Sequence, residues 1–150
     1  MRAVVQRVTE ASVEVERRTV GKIGRGYVVL LGIARDDTER AADFIADRII
    51  AMRVFADPAG KMNLALEAVA GELLIISQFT LHADTSRGRR PSFLAAAPGD
   101  LARPLYEHFV AYCRARKVAV ATGDFGADMQ VKLICDGPVT ILLDSRQAPI

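Results

Sequence analysis

Apolar and polar positions along the chain fall into blocks whose period changes from two residues to helical spacing and back. Val4, Gln6 and Val8 alternate with Val5, Arg7 and Thr9, which predicts a strand over Arg2–Val8. Ser12–Glu16 and Thr19–Ile23 read as a hairpin turning at Arg17–Arg18, and Gly24 and Gly26 punctuate the next turn. Tyr27–Ile33 and Glu72–Leu81 are β-branched and aliphatic runs, expected as buried strands. Between them Phe44, Ile45, Ile49 and Met52 recur at helical spacing. Asp36 or Asp37 is the expected cap of that helix, with Glu39 three residues after Asp36. Asp57-Pro58-Ala59-Gly60 is a turn.

A second helix is expected from Asp100, with Pro104 tolerated in its first turn and Leu105, Phe109, Val110 and Cys113 facing inward. Val118–Ala121, Met129–Cys135 and Val139–Leu143 complete the strands. No repeat or linker interrupts the pattern, so residues 1–150 are expected to form a single domain. Its fold class is mixed α/β: a largely antiparallel sheet or open barrel covered by two helices.

Composition changes little in this picture. Hydrophobic residues are 51% and charged residues 25% of the chain, which is ordinary for a globular protein; Trp is absent, so the core must be aliphatic. No apolar run approaches the ~20 residues of a membrane-spanning helix, and Met1–Val15 lacks the apolar block of a signal peptide. A cytoplasmic location, with no membrane partner, is the expectation. Cys113 and Cys135, with two scattered histidines, make a poor metal site, so neither metal nor cofactor is expected. A net charge of +2 is too mild to announce a nucleic-acid binder.

Local clusters carry more. Ser77-Gln78-Phe79-Thr80-Leu81 ends the second buried run, where polar residues either line a site or mark a strand reaching solvent. Ser77, His82 and Asp84 supply the groups of a catalytic triad. Strand alternation would point Ser77 and His82 to opposite faces, so a triad is not expected unless the strand breaks between them. Arg87, Arg89 and Arg90, beside Gly88 and Pro91, form a compact cationic loop suited to phosphate oxygens. Phe125 and Met129 could flank a flat ring or simply pack in the core. Gly137-Pro138 reads first as a turn between two strands, with the added option of a cis bond.

Together these stretches resemble the D-aminoacyl-tRNA deacylase family. Ser77–Leu81 is similar to its first signature and Gly137-Pro138-Val139-Thr140 to its second; residues 87–93 and 122–133 are also alike. The likeness runs from Met1 to about Asp144. One position departs from it: Cys135 stands where the family commonly has Asn, two residues before Gly137.

The resemblance implies hydrolysis of the ester of D-aminoacyl-tRNA, and of glycyl-tRNA, as chirality proofreading in translation. It implies a homodimer in which a cis Gly137–Pro138 turn enters the partner's pocket and rejects L substrates. Arg7 matches a residue holding that turn, with Thr140 beside it. Phe125 and Met129 match contacts to the terminal adenine. Ser77, Gln78, Phe79 and Thr80 line the reacting centre, where the tRNA's own 2′-hydroxyl assists and Thr80 positions without forming a covalent intermediate. Arg87, Arg89 and Arg90 are candidate contacts to tRNA phosphates. Two rivals stand beside this reading: a non-catalytic tRNA-binding module, and a serine esterase using Ser77. Against the latter there is no Gly-x-Ser-x-Gly elbow.

Overall fold

The computed structural model describes residues 1–147; the expected domain's last residues, 148–150, lie outside the described residues. The first two predicted strands are one. β1 (Arg2–Val15) runs unbroken through Thr9–Ala11 and pairs antiparallel on both sides. It turns into β2 (Arg18–Ile23) through Glu16 and Arg17, both at positive φ, one residue earlier than expected. Two consecutive positive φ values give the turn the twist that strand pairing needs.

β3 (Gly26–Gly32) pairs with the first half of β1, and β2 with the second half. From β3 the chain crosses through α1 (Glu39–Ala51) and a small ribbon, β4 (Phe55–Ala56) with β5 (Met62–Leu64). It returns as β6 (Glu72–Ser77), parallel to β3. α2 (Gly99–Ala115) makes the second crossover, to β7 (Ala119–Thr122), parallel to β6. β8 (Gln130–Asp144) then lies antiparallel along β1. The sheet is mixed, with three antiparallel and two parallel pairings. It curls until β2 approaches β7: a Cβ on Gly21 would lie 2.5 Å from the Thr122 carbonyl oxygen, so only glycine fits there.

Both helices cover one face. Ala42, Ile45, Ala46 and Ile49 of α1 and Tyr106, Phe109, Val110 and Cys113 of α2 meet Val29, Leu31, Leu73 and Ile75 of the sheet. The alternate residues Leu74 and Ile76 turn into a second cluster with Val8, Val13 and Val28 inside the curl. β6 is therefore apolar from Leu73 to Ile76 because both of its faces are covered there. Burial pushes the Cys113 thiol up to about 12, an inert packing group.

Both helix starts differ from expectation. Thr38, not Asp36 or Asp37, caps α1, accepting from the Ala41 N–H at 3.4 Å; Glu39 is then the first helical residue and forms no capping box. Asp37 instead accepts from the Ala34 N–H at 2.7 Å and pairs with the Met1 ammonium, while Asp36 pairs with Arg146 at 3.1 Å. Pro98, not Asp100, precedes α2, which places Pro104 at its sixth residue, beyond the first turn. That proline faces solvent, where water can serve the carbonyl its missing N–H leaves unpaired.

Candidate active site

Three parallel strands point their carboxyl ends at one place. Leu31 of β3 and the following Ile33, Ser77 of β6 with Gln78 and Phe79, and Phe125 and Met129 from the loop after β7 line a cleft of about 450 Å³. Gly99 and Ala102, from the first turns of α2, close another side. This is where open α/β sheets place ligands, since the strand ends leave a crevice that the crossovers do not fill.

β6 ends at Ser77, four residues short of the predicted end, because Phe79–His82 winds into one 3₁₀ turn. Strand alternation therefore does not apply beyond Ser77, and it no longer separates Ser77 from His82. The triad is nonetheless not assembled. No hydrogen bond joins Ser77 to His82 among the described residues. The His82 ring is buried with Nε2 unpartnered, and Asp84 accepts from the Ser86 N–H at 2.9 Å. Burial holds the His82 pKa below the usual histidine range.

Gln78 continues the sheet by donating its N–H to Leu31 at 2.8 Å, and its side-chain amide donates to the Thr80 hydroxyl. Thr80 is exposed beside the cleft and is not part of its lining. The N–H groups of Phe79 and Thr80 open the 3₁₀ turn, so they have no acceptor within it. Among the described lining residues there is no carboxylate, imidazole, amine or thiol.

The arginine loop rises from the same rim. Asp84 and Ser92 exchange backbone hydrogen bonds of 2.8 and 2.9 Å, closing a loop with Arg87, Arg89 and Arg90 exposed at its tip. Phe93 at its base packs edge-on against Phe79, centroids 5.1 Å apart. On the far wall Phe125 leans on Tyr106 at 5.5 Å, with the Arg103 guanidinium 4.7 Å from its ring centre.

Gly137 and Pro138 lie elsewhere. Instead of turning between two strands, they bulge out of one: Val8 pairs with Cys135 and Gln6 with Thr140, so Arg7 alone faces the four residues Asp136–Val139. The Gly137–Pro138 bond is cis, and Gly137 has φ +126°, a conformation that suits glycine. Arg7 Nε donates to the Asp136 carbonyl at 3.0 Å and meets its carboxylate at 3.2 Å, while Nη1 donates to the Val54 carbonyl. Gln6 Nε2 donates to the Val139 carbonyl at 3.1 Å, and Thr140 Oγ1 donates to Gln6 Oε1. β1 thus grips both shoulders of the bulge, and Cys135, exposed, contributes none of these bonds.

The structure thereby gathers Ser77, Gln78 and Phe79 with Phe125 and Met129, and separately Arg7 with Gly137, Pro138 and Thr140. None of the second group lines the cleft of its own chain. Sequence reasoning missed Gln6, whose signal was a polar residue inside a strand, and Gly99, Ala102, Arg103 and Tyr106, which carried none.

Fold and site together define an α/β protein with an aromatic-walled ligand cleft beyond the ends of its parallel strands. The family model for D-Tyr-tRNA(Tyr) deacylase matches residues 4–144. The D-aminoacyl-tRNA deacylase of Thermosipho africanus is 55% identical, covering 98% of this chain and 99% of that one. The one from Lacticaseibacillus casei is 59% identical, covering 97% and 99%. The chain belongs to the D-aminoacyl-tRNA deacylase family. Among solved structures, one titled c-Myc DNA Unwinding Element Binding Protein superposes with TM-score 0.91 at 40% identity, covering all of both chains. A probable eukaryotic D-amino acid tRNA deacylase, 21% identical with TM-score 0.79 over 95% of this chain and 97% of that one, shares the fold.

Proposed function

We propose that the cleft receives the terminal adenosine and ester of an aminoacyl-tRNA, and that a second copy of the chain supplies the Gly137–Pro138 bulge to complete it. The activity itself, hydrolysis of the D-aminoacyl-tRNA ester, follows from family membership. The observation that carries the rest is a division of the surface: a cleft with no ionisable side chain among its described lining residues, and a braced backbone bulge that is not part of that lining.

With no ionisable side chain among the described lining residues, the proton transfer on this reading falls to the substrate's own groups, the ribose hydroxyl beside the ester or the attacking water. An aminoacyl ester is activated already, so positioning and charge stabilisation suffice. The unpaired N–H groups of Phe79 and Thr80 are suited to the developing oxyanion, an interaction worth roughly 2.7–4 kcal/mol per donor elsewhere. Phe125 and Met129 hold the adenine, Ser77 and Gln78 orient the ester, and Thr80 supports Gln78. Arg87, Arg89 and Arg90 are placed to meet tRNA phosphates.

Enantiomers carry identical groups, so attraction alone separates them poorly, and rejection needs a rigid obstacle where the L side chain would lie. The bulge suits that role because Arg7 and Gln6 fix its shoulders and its carbonyls can accept from an ammonium. A filter of main chain ignores the identity of the D side chain and leaves glycine unopposed, so glycyl-tRNA should also be cleaved. Proofreading of chirality in translation, in the cytoplasm, is the corresponding role; no helix among the described residues is long and apolar enough to cross a membrane. Among the described residues β8 pairs only with β1, and its open edge, with Ile134 55% and Leu142 73% exposed, supports a homodimer.

The test compares deacylation of D- and L-aminoacyl-tRNA bearing one amino acid and, at substrate well below KM, mixes two impaired chains, Phe125→Ala and Gly137→Val. Hydrolysis of the D ester alone, with activity regained on mixing, is expected. Equal rates on both enantiomers would end the filter, and a mixture as inactive as its parents would end the shared site.

A further inference from the structure

Phe125 lines a second cleft as well as the first. This neighbouring hollow, of about 440 Å³, lies between α2 and the loop after β7. Arg103, Glu107 and Arg114 project into it from one side of α2, at offsets of four and eleven residues that share a helical face. Asp124, next to Phe125, lines it as well. None of these four charged groups joins an ion pair among the described residues. Arg103 spends one weak bond, Nη2 to the Phe125 carbonyl at 3.4 Å, and Arg114 one to the Val120 carbonyl at 3.5 Å. Donors and acceptors are therefore left over, of both signs, around a hollow large enough for a pyrimidine.

The balance of signs decides what fits. Two guanidinium groups alone would suit a phosphate, but Glu107 and Asp124 cancel their charge and repel an anion. A nucleobase edge asks for both kinds of group. Cytosine presents an amino donor beside two acceptors, N3 and O2, and so matches a carboxylate set next to a guanidinium fork. Arg103 and Glu107, four apart on the helix, have that adjacency. A tRNA ends in cytidine, cytidine, adenosine, so the nucleotide joined to the terminal adenosine carries this edge.

We propose that this second cleft reads the penultimate cytidine, with Arg103 donating to N3 and O2 and Glu107 or Asp124 accepting from the amino group. The assignment rests on the reading that the first cleft holds the terminal adenosine. It makes Arg103 a specificity residue of the substrate's end, acting one nucleotide away from the ester.

The experiment uses three small esters of one D-amino acid, carried on adenosine, on cytidylyl-adenosine and on uridylyl-adenosine. The dinucleotides share a phosphate and differ at the base edge, where uracil replaces the amino donor with an acceptor. The full-length protein should favour the cytidine ester in kcat/KM over the other two by roughly 5- to 150-fold, the range of one bidentate base contact. Glu107→Ala should erase that preference while leaving the adenosine ester unchanged, and Arg103→Ala should erase it as well. Equal gains for both dinucleotides would assign the hollow to the phosphate and overturn the base reading. A loss of equal size on all three esters in Arg103→Ala, with the cytidine preference kept, would mark that residue as a brace for Phe125 alone and overturn its assignment. If none of the three is cleaved while intact D-aminoacyl-tRNA is, the adenosine reading falls, and this proposal with it.

Discussion

Replacing Arg7 by Met keeps the length of the side chain and removes its guanidinium. Arg7 is largely covered, 12% exposed, and its charge serves two carbonyl groups, Asp136 and Val54, from opposite ends of the fork. A hydrogen bond from a charged donor contributes about 1.5–3 kcal/mol. The Asp136 carboxylate is 34% exposed, so its share of the ion pair is screened and adds little. Two carbonyl bonds from a single group are not additive, and a total of about 2–4 kcal/mol is the reasonable magnitude. For a chain of this size that lowers Tm by on the order of 5–15 °C. For the proposed filter, the part that matters is the Asp136 bond, which holds one shoulder of the bulge. Its loss would free the proposed obstacle to retreat from an L side chain, and about 1.5–3 kcal/mol corresponds to roughly 10- to 150-fold in discrimination. First-order deacylation rates on D- and L-aminoacyl-tRNA carrying the same amino acid measure this directly, alongside a melting curve. The D rate should change by a few-fold while the L rate rises. A variant that melts earlier yet keeps the full ratio of D to L rates would show that Arg7 merely stabilises the fold, and the filter would lose its support.

Three further outcomes are expected from the same geometry. Thr80→Ala should retain substantial single-turnover activity on D-aminoacyl-tRNA, since its hydroxyl only accepts from Gln78 at the cleft's margin; near-complete loss with folding intact would make it a chemical participant. Phe125→Ala removes a wall of the proposed adenine site and should raise KM by roughly 5- to 150-fold, the worth of one base–aromatic stack, with kcat less affected. Stability should fall on acidification because of His82, whose pKa is lowered in the fold by burial against about 6.5 in the unfolded chain. The unfolded state then binds more protons, so the His82 contribution is complete above about pH 6.5 and is lost as pH drops toward the folded value. Melting temperatures of His82→Leu across pH 7.5 to 5 should decline less than those of the unaltered protein; parallel curves would exclude His82 as the source.

The elements whose covered face repeats at a fixed period were legible in the sequence. The inner stripe of α1 around Ile45 and Ile49, the buried β3 and β6 runs, and the mixed α/β class all come from local spacing, because each residue's side is set by its own backbone geometry. The two signature stretches also stood out as residues, since Ser77-Gln78-Phe79 and Gly137-Pro138 break the apolar pattern around them. Where elements start and stop was less legible. Thr38 takes the cap of α1 because Asp36 and Asp37 are occupied by Arg146 and Met1, partners far away in the chain, and by the nearby Ala34 N–H.

What only the tertiary structure decided is which of these residues meet. Gly137 and Pro138 bulge from one strand instead of turning between two, because both flanks of β8 find their register on the same β1, a pairing between residues some 130 positions apart. The same long-range pairing lets Arg7 and Gln6 grip the bulge, and it carries the turn away from the cleft of its own chain. Likewise Arg103 and Phe125 come together only when α2 packs beside the loop after β7. Periodicity records the environment of each residue one at a time. The contacts that make a site are set by the packing of whole elements, and that information is spread over the entire chain.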